Sequence, residues 1–244
     1  MVLHKGFNML TLRKANERGH FNHGWLDTYH SFSFAGYYDE RFMGFSALRV
    51  INEDKVEPSQ GFGTHSHKDM EILTYVLNGT IAHKDSMGNE ERVPSGEFQI
   101  MSAGSGITHS EFNLLREPLH FYQIWIQPNE LGIKPRYEQK AFDKSKNKTL
   151  ILSPNAQQDS LKVYQDMRLW LYRDIANETF SFESGKENSR RAYIQVVRGK
   201  LEIESSQTKP FIIETSDGVM CCSESSFILK GLDSKNEVLI FDLP

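Results

Sequence analysis

Histidine is confined to one half of this chain. All nine histidines (His4, His20, His23, His30, His65, His67, His83, His109 and His120) lie at or before residue 120, and the remaining residues contain none. Imidazole chemistry therefore belongs to the first half. In Gly63-Thr64-His65-Ser66-His67 the two histidines are two apart. On a strand, residues i and i+2 point to the same face. In Gly106-Ile107-Thr108-His109-Ser110-Glu111 the same spacing sets His109 beside Glu111. Two neighbouring strands would then present three imidazoles and one carboxylate to one point. His65, His67, His109 and Glu111 are the expected ligands of one divalent transition-metal ion. Such an N3O set suits Fe, Zn, Cu, Ni, Mn or Co and leaves coordination positions open for water or substrate.

Other residues are weaker candidates. Glu71 follows His67 by four positions and reads as a ligand, a residue behind the ligands, or a base. His83 reads as a surface or packing residue, and His120, which opens an apolar run, as structural. His20, His23 and His30 accompany an aromatic segment, Trp25 to Phe45, which would line a pocket lid or pack in the core. Phe45 and Phe62 would flank a planar ligand or, as is the default for most such aromatics, pack in the core. There is no Ser/His/Asp set, no CxxC pair and no phosphate loop; Gly104-Ser105-Gly106 is followed by no helical pattern.

The elements that must carry these residues are strands. Short runs rich in Val, Ile, Tyr and Phe recur between Gly, Asn and Asp turns: Ser46–Ile51, Glu71–Leu77, Phe98–Met101, Phe121–Ile126, Thr149–Leu152, Ala192–Val197, Leu201–Glu204 and Val238–Leu243. Such spacing argues for an all-β sandwich or barrel. The chain also repeats. Tyr75-Val-Leu-Asn-Gly79-Thr-Ile81 lies over Gln195-Val-Val-Arg-Gly199-Lys-Leu201, and Ile124-Trp-Ile-Gln-Pro128 over Ile240-Phe-Asp-Leu-Pro244. A repeat of about 120 residues means two copies of one domain. We expect a division into 1–140, which binds metal, and 141–244, which does not, with Asp143–Lys148 as the linker region. The positions matching His65 and His67 are Gly185 and Glu187. The fold itself therefore does not require those histidines.

With 28 basic and 32 acidic residues the net charge is −4. That surface does not favour direct nucleic-acid contact. No run reaches the ~20 apolar residues of a membrane helix. The N-terminus, interrupted by Lys5, Arg13, Lys14, Glu17 and Arg18, reads as no signal peptide. The two cysteines, Cys221 and Cys222, are adjacent and make no zinc-type pair. These features suit a reducing cytoplasm.

The same residues resemble a known family. His65-Ser-His67-x3-Glu71 with Gly79 resembles the first cupin motif. Gly106-x2-His109-x3-Asn113 resembles the second, with Gly104 where many cupins have proline. Phe62-Gly-Thr-His-Ser-His-Lys-Asp-Met-Glu71, Met101-Ser-Ala-Gly-Ser-Gly-Ile-Thr-His-Ser-Glu111, Ser31-Phe-Ser-Phe-Ala35 and Phe42-Met-Gly-Phe-Ser-Ala-Leu-Arg-Val50 are similar to the pirins, which are bicupins, and above all to bacterial quercetin 2,3-dioxygenases of that family. The resemblance implies two tandem cupin (jelly-roll) barrels, with metal on His65, His67, His109 and Glu111 in the first and none in the second. It implies no metal contact for Glu71, and no C-terminal extension of the kind longer pirins carry. The implied activity is cleavage of a flavonol such as quercetin by O2 with release of carbon monoxide. Fe(II) is the first choice of metal, and Glu111 or Glu71 would act as the base. A second expectation is a redox-sensing regulatory role through protein partners.

Overall fold

The computed structural model describes residues 10–174, 190–205, 208–222 and 226–244, and the backbone of 179–183. The first twelve strands are β1 (Leu10–Arg13), β2 (Gly19–Asn22), β3 (Leu26–His30), β4 (Leu48–Val56), β5 (Gly61–His67), β6 (Glu71–Asn78), β7 (Thr80–Asp85), β8 (Glu90–Pro94), β9 (Glu97–Ser102), β10 (Ile107–Asn113), β11 (Leu119–Ile126) and β12 (Arg136–Ala141). They are followed by β13 (Lys148–Ser153), β14 (Leu161–Lys162), β15 (Arg168–Arg173), β16 (Thr179–Glu183), β17 (Arg191–Arg198), β18 (Lys200–Ser205), β19 (Thr208–Glu214), β20 (Gly218–Cys221), β21 (Ser226–Gly231) and β22 (Glu237–Leu243). Helix among the described residues is limited to three-residue 3-10 turns.

The chain forms two compact units. One comprises Gly19–Phe142 with Leu161–Gln165; the other takes the described residues up to Arg18, then Asp143–Ser160 and the chain from Asp166 onward. Two short segments thus cross the expected 140/141 division. β1 is drawn to the second unit by antiparallel pairing with β20, Leu10 facing Cys221.

In the first unit a broad antiparallel sheet, ordered β12-β9-β6-β11-β4-β3-β2, faces a smaller one, β5-β10-β7-β8. The second unit repeats the plan: β20-β17-β22-β15 answers β9-β6-β11-β4, and β16-β21-β18-β19 answers β5-β10-β7-β8. Gly79 and Gly199 take matching turns at φ 83° and 89° between β6/β7 and β17/β18. Only glycine adopts that conformation without strain. The duplication read from the sequence is therefore a duplication of topology. Gly185 and Glu187, the counterparts of His65 and His67, lie outside the described residues.

Alternation explains where the cores sit. In the first unit Leu26, Val56, Val76, Ile81, Val93, Leu119 and Phe121 form one buried apolar cluster, against which Trp25 and Phe62 pack. The second unit fills its interior with aliphatic and aromatic side chains, among them Ile194, Val196, Leu201, Ile203, Phe227 and Ile240. One strand departs from expectation. The run Ser46–Ile51 begins later and ends later, as β4, Leu48–Val56. Gly44 and Ser46 have positive φ and form the turn before it. The polar stretch Asn52-Glu53-Asp54 continues the strand and is buried throughout.

Candidate metal centre

The smaller sheet of the first unit builds the centre by register. β10 lies between β5 and β7, with His109 opposite His65 on one side and Asp85 on the other. Glu111 stands opposite His83 of β7. Directly opposed residues share a face, so two-residue spacing on β5 and β10 sends all four predicted ligands inward. Between the His109–His65 and Glu111–Phe62 pairs, β5 carries one residue more than β10. Such a bulge re-aims a strand locally, as is common beside active sites. The close approach also needs Gly61, where a Cβ would overlap the Glu111 carbonyl oxygen and come within 2.6 Å of the Phe112 Cα.

The three imidazoles converge. Ring centroids are 4.8 Å apart for His65–His67, 4.4 Å for His65–His109 and 5.0 Å for His67–His109. One ligand atom from each lies within 4.8 Å of the others, and a second cluster, His83, His109 and Glu111, meets the same limit. His65 Nδ1 donates to the Gly63 carbonyl at 2.8 Å. That bond fixes the tautomer and leaves Nε2 as a lone-pair donor. Burial, reinforced by the neighbouring imidazoles, pushes His67 down to about 4 and His109 down to about 3. Both are therefore neutral, the form a metal requires.

His109 tests whether a metal fits. It is buried, yet neither ring nitrogen has a hydrogen-bond partner. Leaving a buried polar nitrogen unsatisfied costs about 1–3 kcal/mol, and a cation held jointly with His65 and His67 removes that cost. Glu111 supplies the negative charge. Its carboxylate accepts from Gln99 Nε2 at 2.6 Å and from Gln123 Nε2 at 2.8 Å. Both amides come from the facing sheet, on β9 and β11. Gln99 is itself held by the Tyr137 hydroxyl, which donates to its Oε1 at 2.9 Å. The donor set fits a divalent transition ion.

Beside the imidazoles opens a cavity of about 420 Å3, lined in part by Trp25, Phe34, Phe62 and Trp125. Thr28, His30, Asn52, Asp54 and Gln123 supply most of its polar wall. Phe62 and His30 stand where a pocket role would put them, and His23 also lines the cavity. Phe45 does not, being packed in the core. His20 is held on the surface by Asp27 and stacks on Tyr29.

Glu71, His83 and Asp54 take places that the sequence leaves open. Glu71 belongs neither to the clusters nor to the cavity wall; it is buried elsewhere in the unit, where Ser102 Oγ donates to it at 2.9 Å and the Tyr164 amide at 3.3 Å. Both bonds fall on its Oε2. Of the two readings of His83, surface and packing, the structure bears out packing. It is buried against Tyr137, its Nε2 donates to Asp85 at 3.2 Å, and its Nδ1 is left without a partner beside His109 and Glu111. Asp54 went unnoticed because its polar neighbours resemble a turn. His120, by contrast, is structural as expected, bonded to Glu53 at 3.0 Å. Gly104, where many cupins have proline, has φ 47°. Proline, locked near −65°, cannot take that conformation.

Two tandem antiparallel barrels, with His65, His67 and His109 clustered inside the first and Glu111 grouped with His109 and His83, define a bicupin with a candidate metal centre. Residues 11–126 match the family described as pirin, and residues 150–243 match the quercetinase C-terminal cupin domain. The chain belongs to the pirin family. It is 58% identical to a quercetin 2,3-dioxygenase of Escherichia coli (strain K12), over 97% of this chain and 99% of that one. It is 46% identical to a putative quercetin 2,3-dioxygenase of Pasteurella multocida, over 96% of this chain and all of that one. The crystal structure of the bacterial pirin YhhW from E. coli in complex with nickel(II) superposes with a TM-score of 0.90 at 57% identity, covering 96% of this chain and 99% of that one. Among the described residues no helix is long and apolar enough to cross a membrane.

Proposed function

We propose that this chain is a metal-dependent dioxygenase that opens the central ring of flavonols such as quercetin with O2 and releases carbon monoxide. The observation that carries the reading is the junction of the imidazole cluster with an aromatic-walled cavity: His65 and His67 belong to both. The near full-length similarity to quercetin 2,3-dioxygenases supports the substrate class.

His65, His67, His109 and Glu111 would hold the ion. When bound, it supplies Lewis acidity to the hydroxyl and carbonyl oxygens of the flavonol. Iron(II) is our choice of resident ion, because histidine–carboxylate sites with open positions are characteristic of non-haem iron oxygenases. Nickel on the E. coli pirin does not oppose this, since nickel outranks iron at such donors whatever the native metal.

The chain's own residues do the rest. Trp25, Phe34, Phe62 and Trp125 offer apolar surface to a planar ring system, which limits its orientations. Gln99 and Gln123 hold the Glu111 carboxylate in place, and the Gly63 carbonyl orients His65. The apolar wall also limits water around the reacting ring.

The test is incubation of metal-loaded protein with quercetin, aerobically and anaerobically, following flavonol absorbance and carbon monoxide. O2-dependent loss of absorbance with stoichiometric carbon monoxide is the expected result. Elemental analysis of wild type beside His65→Ala checks the ligands; full metal retention by the variant would place the centre elsewhere.

A further inference from the structure

Among the described residues lining the cavity, Asp54 is the only carboxylate. Strand alternation puts it there. β4 pairs with β3 and β11, so that Asp54 faces Thr28 on one side and Phe121 on the other. It is 3% exposed. Thr28 Oγ1 donates to Asp54 Oδ1 at 2.5 Å, and Oδ2 takes no hydrogen bond from the described residues. A carboxylate held by one oxygen, with the other free on an aromatic-walled cavity, is arranged to exchange a proton with what binds there.

We propose that Asp54 is the general base, taking the proton of the flavonol's enolic hydroxyl on Oδ2 while Thr28 positions it through Oδ1. The proposal rests on the flavonol reading. The substrate O–H bond breaks, its electron pair stays on the substrate oxygen, and an O–H bond forms on Oδ2. After ring opening the proton leaves Oδ2 for the new carboxylate of the product.

The electrostatics agree with the geometry. Burial pushes Asp54 up to about 7, against the Thr28 hydrogen bond and with help from Glu111 and Glu53. A base serves best when its pKa lies near the working pH. His30 on β3, His65 and His67 on β5 and Gln123 on β11 share the cavity wall with it, and the charges of Glu111 on β10 and Glu53 on its own strand act on it electrostatically. Glu53 is engaged by His120 and Tyr122, and both Glu111 oxygens accept amide hydrogens. Asp54 is thus the cavity carboxylate with an oxygen to spare.

The experiment compares metal-loaded wild type, Asp54→Asn, Asp54→Glu and Thr28→Val with quercetin as probe, from about pH 5 to about pH 9. Anaerobic absorbance reports whether bound flavonol is neutral or anionic, and aerobic turnover gives kcat and kcat/KM against pH. Asp54→Asn should keep its metal and bind quercetin, leave it neutral at pH 7, and lose about 100-fold or more in kcat. Asp54→Glu should restore part of the rate. Thr28→Val should move the acid limb of kcat/KM to higher pH, because it removes the bond that lowers the Asp54 pKa. An Asp54→Asn variant that binds the anion and turns over with the wild-type profile overturns the assignment. If that variant does not fold, an unmoved acid limb in Thr28→Val overturns it equally. A wild type that neither binds nor consumes quercetin overturns the flavonol reading instead, and this proposal with it.

Discussion

Replacing Asp54 by Asn should stabilise the protein at alkaline pH and leave its stability unchanged in acid. Folding raises the Asp54 pKa from 3.8 to about 7, with burial the main cause. The folded state therefore holds this proton over a range in which the unfolded chain has lost it. Where the folded state binds more protons, stability falls as pH rises. The loss begins near the unfolded pKa and is complete once pH passes the folded one. A displacement of about 3 units at about 1.4 kcal/mol each sets a ceiling of about 4 kcal/mol above pH 7. Asparagine does not titrate, and it can still accept from Thr28. The difference between Asp54→Asn and wild type should be near zero at pH 4 and approach that ceiling at pH 8. Urea unfolding of both proteins in the same metal state measures it. Equal stabilisation at the two pH values, or none at pH 8, would refute the reasoning, because it would mean that Asp54 is solvated or ion-paired in the folded protein. A residue that costs stability at neutral pH and lines a cavity fits a functional role better than a structural one.

Further outcomes follow from the same geometry. Gln123→Leu removes one of the two amides on Glu111 and should weaken metal binding about 10- to 100-fold, measured by competition with a chromogenic chelator; an unchanged affinity would mean that Glu111 needs no such support. Gly61→Ala should destabilise the first unit by about 1–3 kcal/mol, because a Cβ there meets the β10 backbone rather than a movable side chain; chemical denaturation reads the loss. Glu71→Gln should leave metal content and turnover unchanged, since its carboxylate faces Ser102 and the Tyr164 amide, and a fall in O2 uptake with metal retained would return it to the list of bases.

Periodicity made much of the centre legible. His65 and His67, and His109 and Glu111, are pairs at a spacing of two within apolar runs bounded by glycines, and a strand can only send such pairs to one face. The same logic located β6, β9, β11, β17, β18 and β22 to within a residue or two. It failed at β4, where hydrophobicity stops at Ile51 although the strand runs on to Val56. Asn52 and Asp54 supply polar groups to the wall of a cavity instead of apolar groups to a core, so the usual mark of an inward position is missing. His83 escaped for a related reason: its place depends on which residue of β10 it faces, and register across a sheet leaves no local trace.

The chain's own order of residues determined the strand class, the duplication, the confinement of imidazole chemistry to the first half and the identity of three converging histidines, all of which are local patterns or counts. Only the tertiary structure decided what surrounds them. The facing sheet brought Gln99 and Gln123 to Glu111, pairing with β10 carried His83 inward, and burial raised the pKa of Asp54 while Ser102 and a backbone amide engaged Glu71. The reason is physical: a side chain's charge state and partners depend on what excludes water from it, and residues far apart in sequence do that.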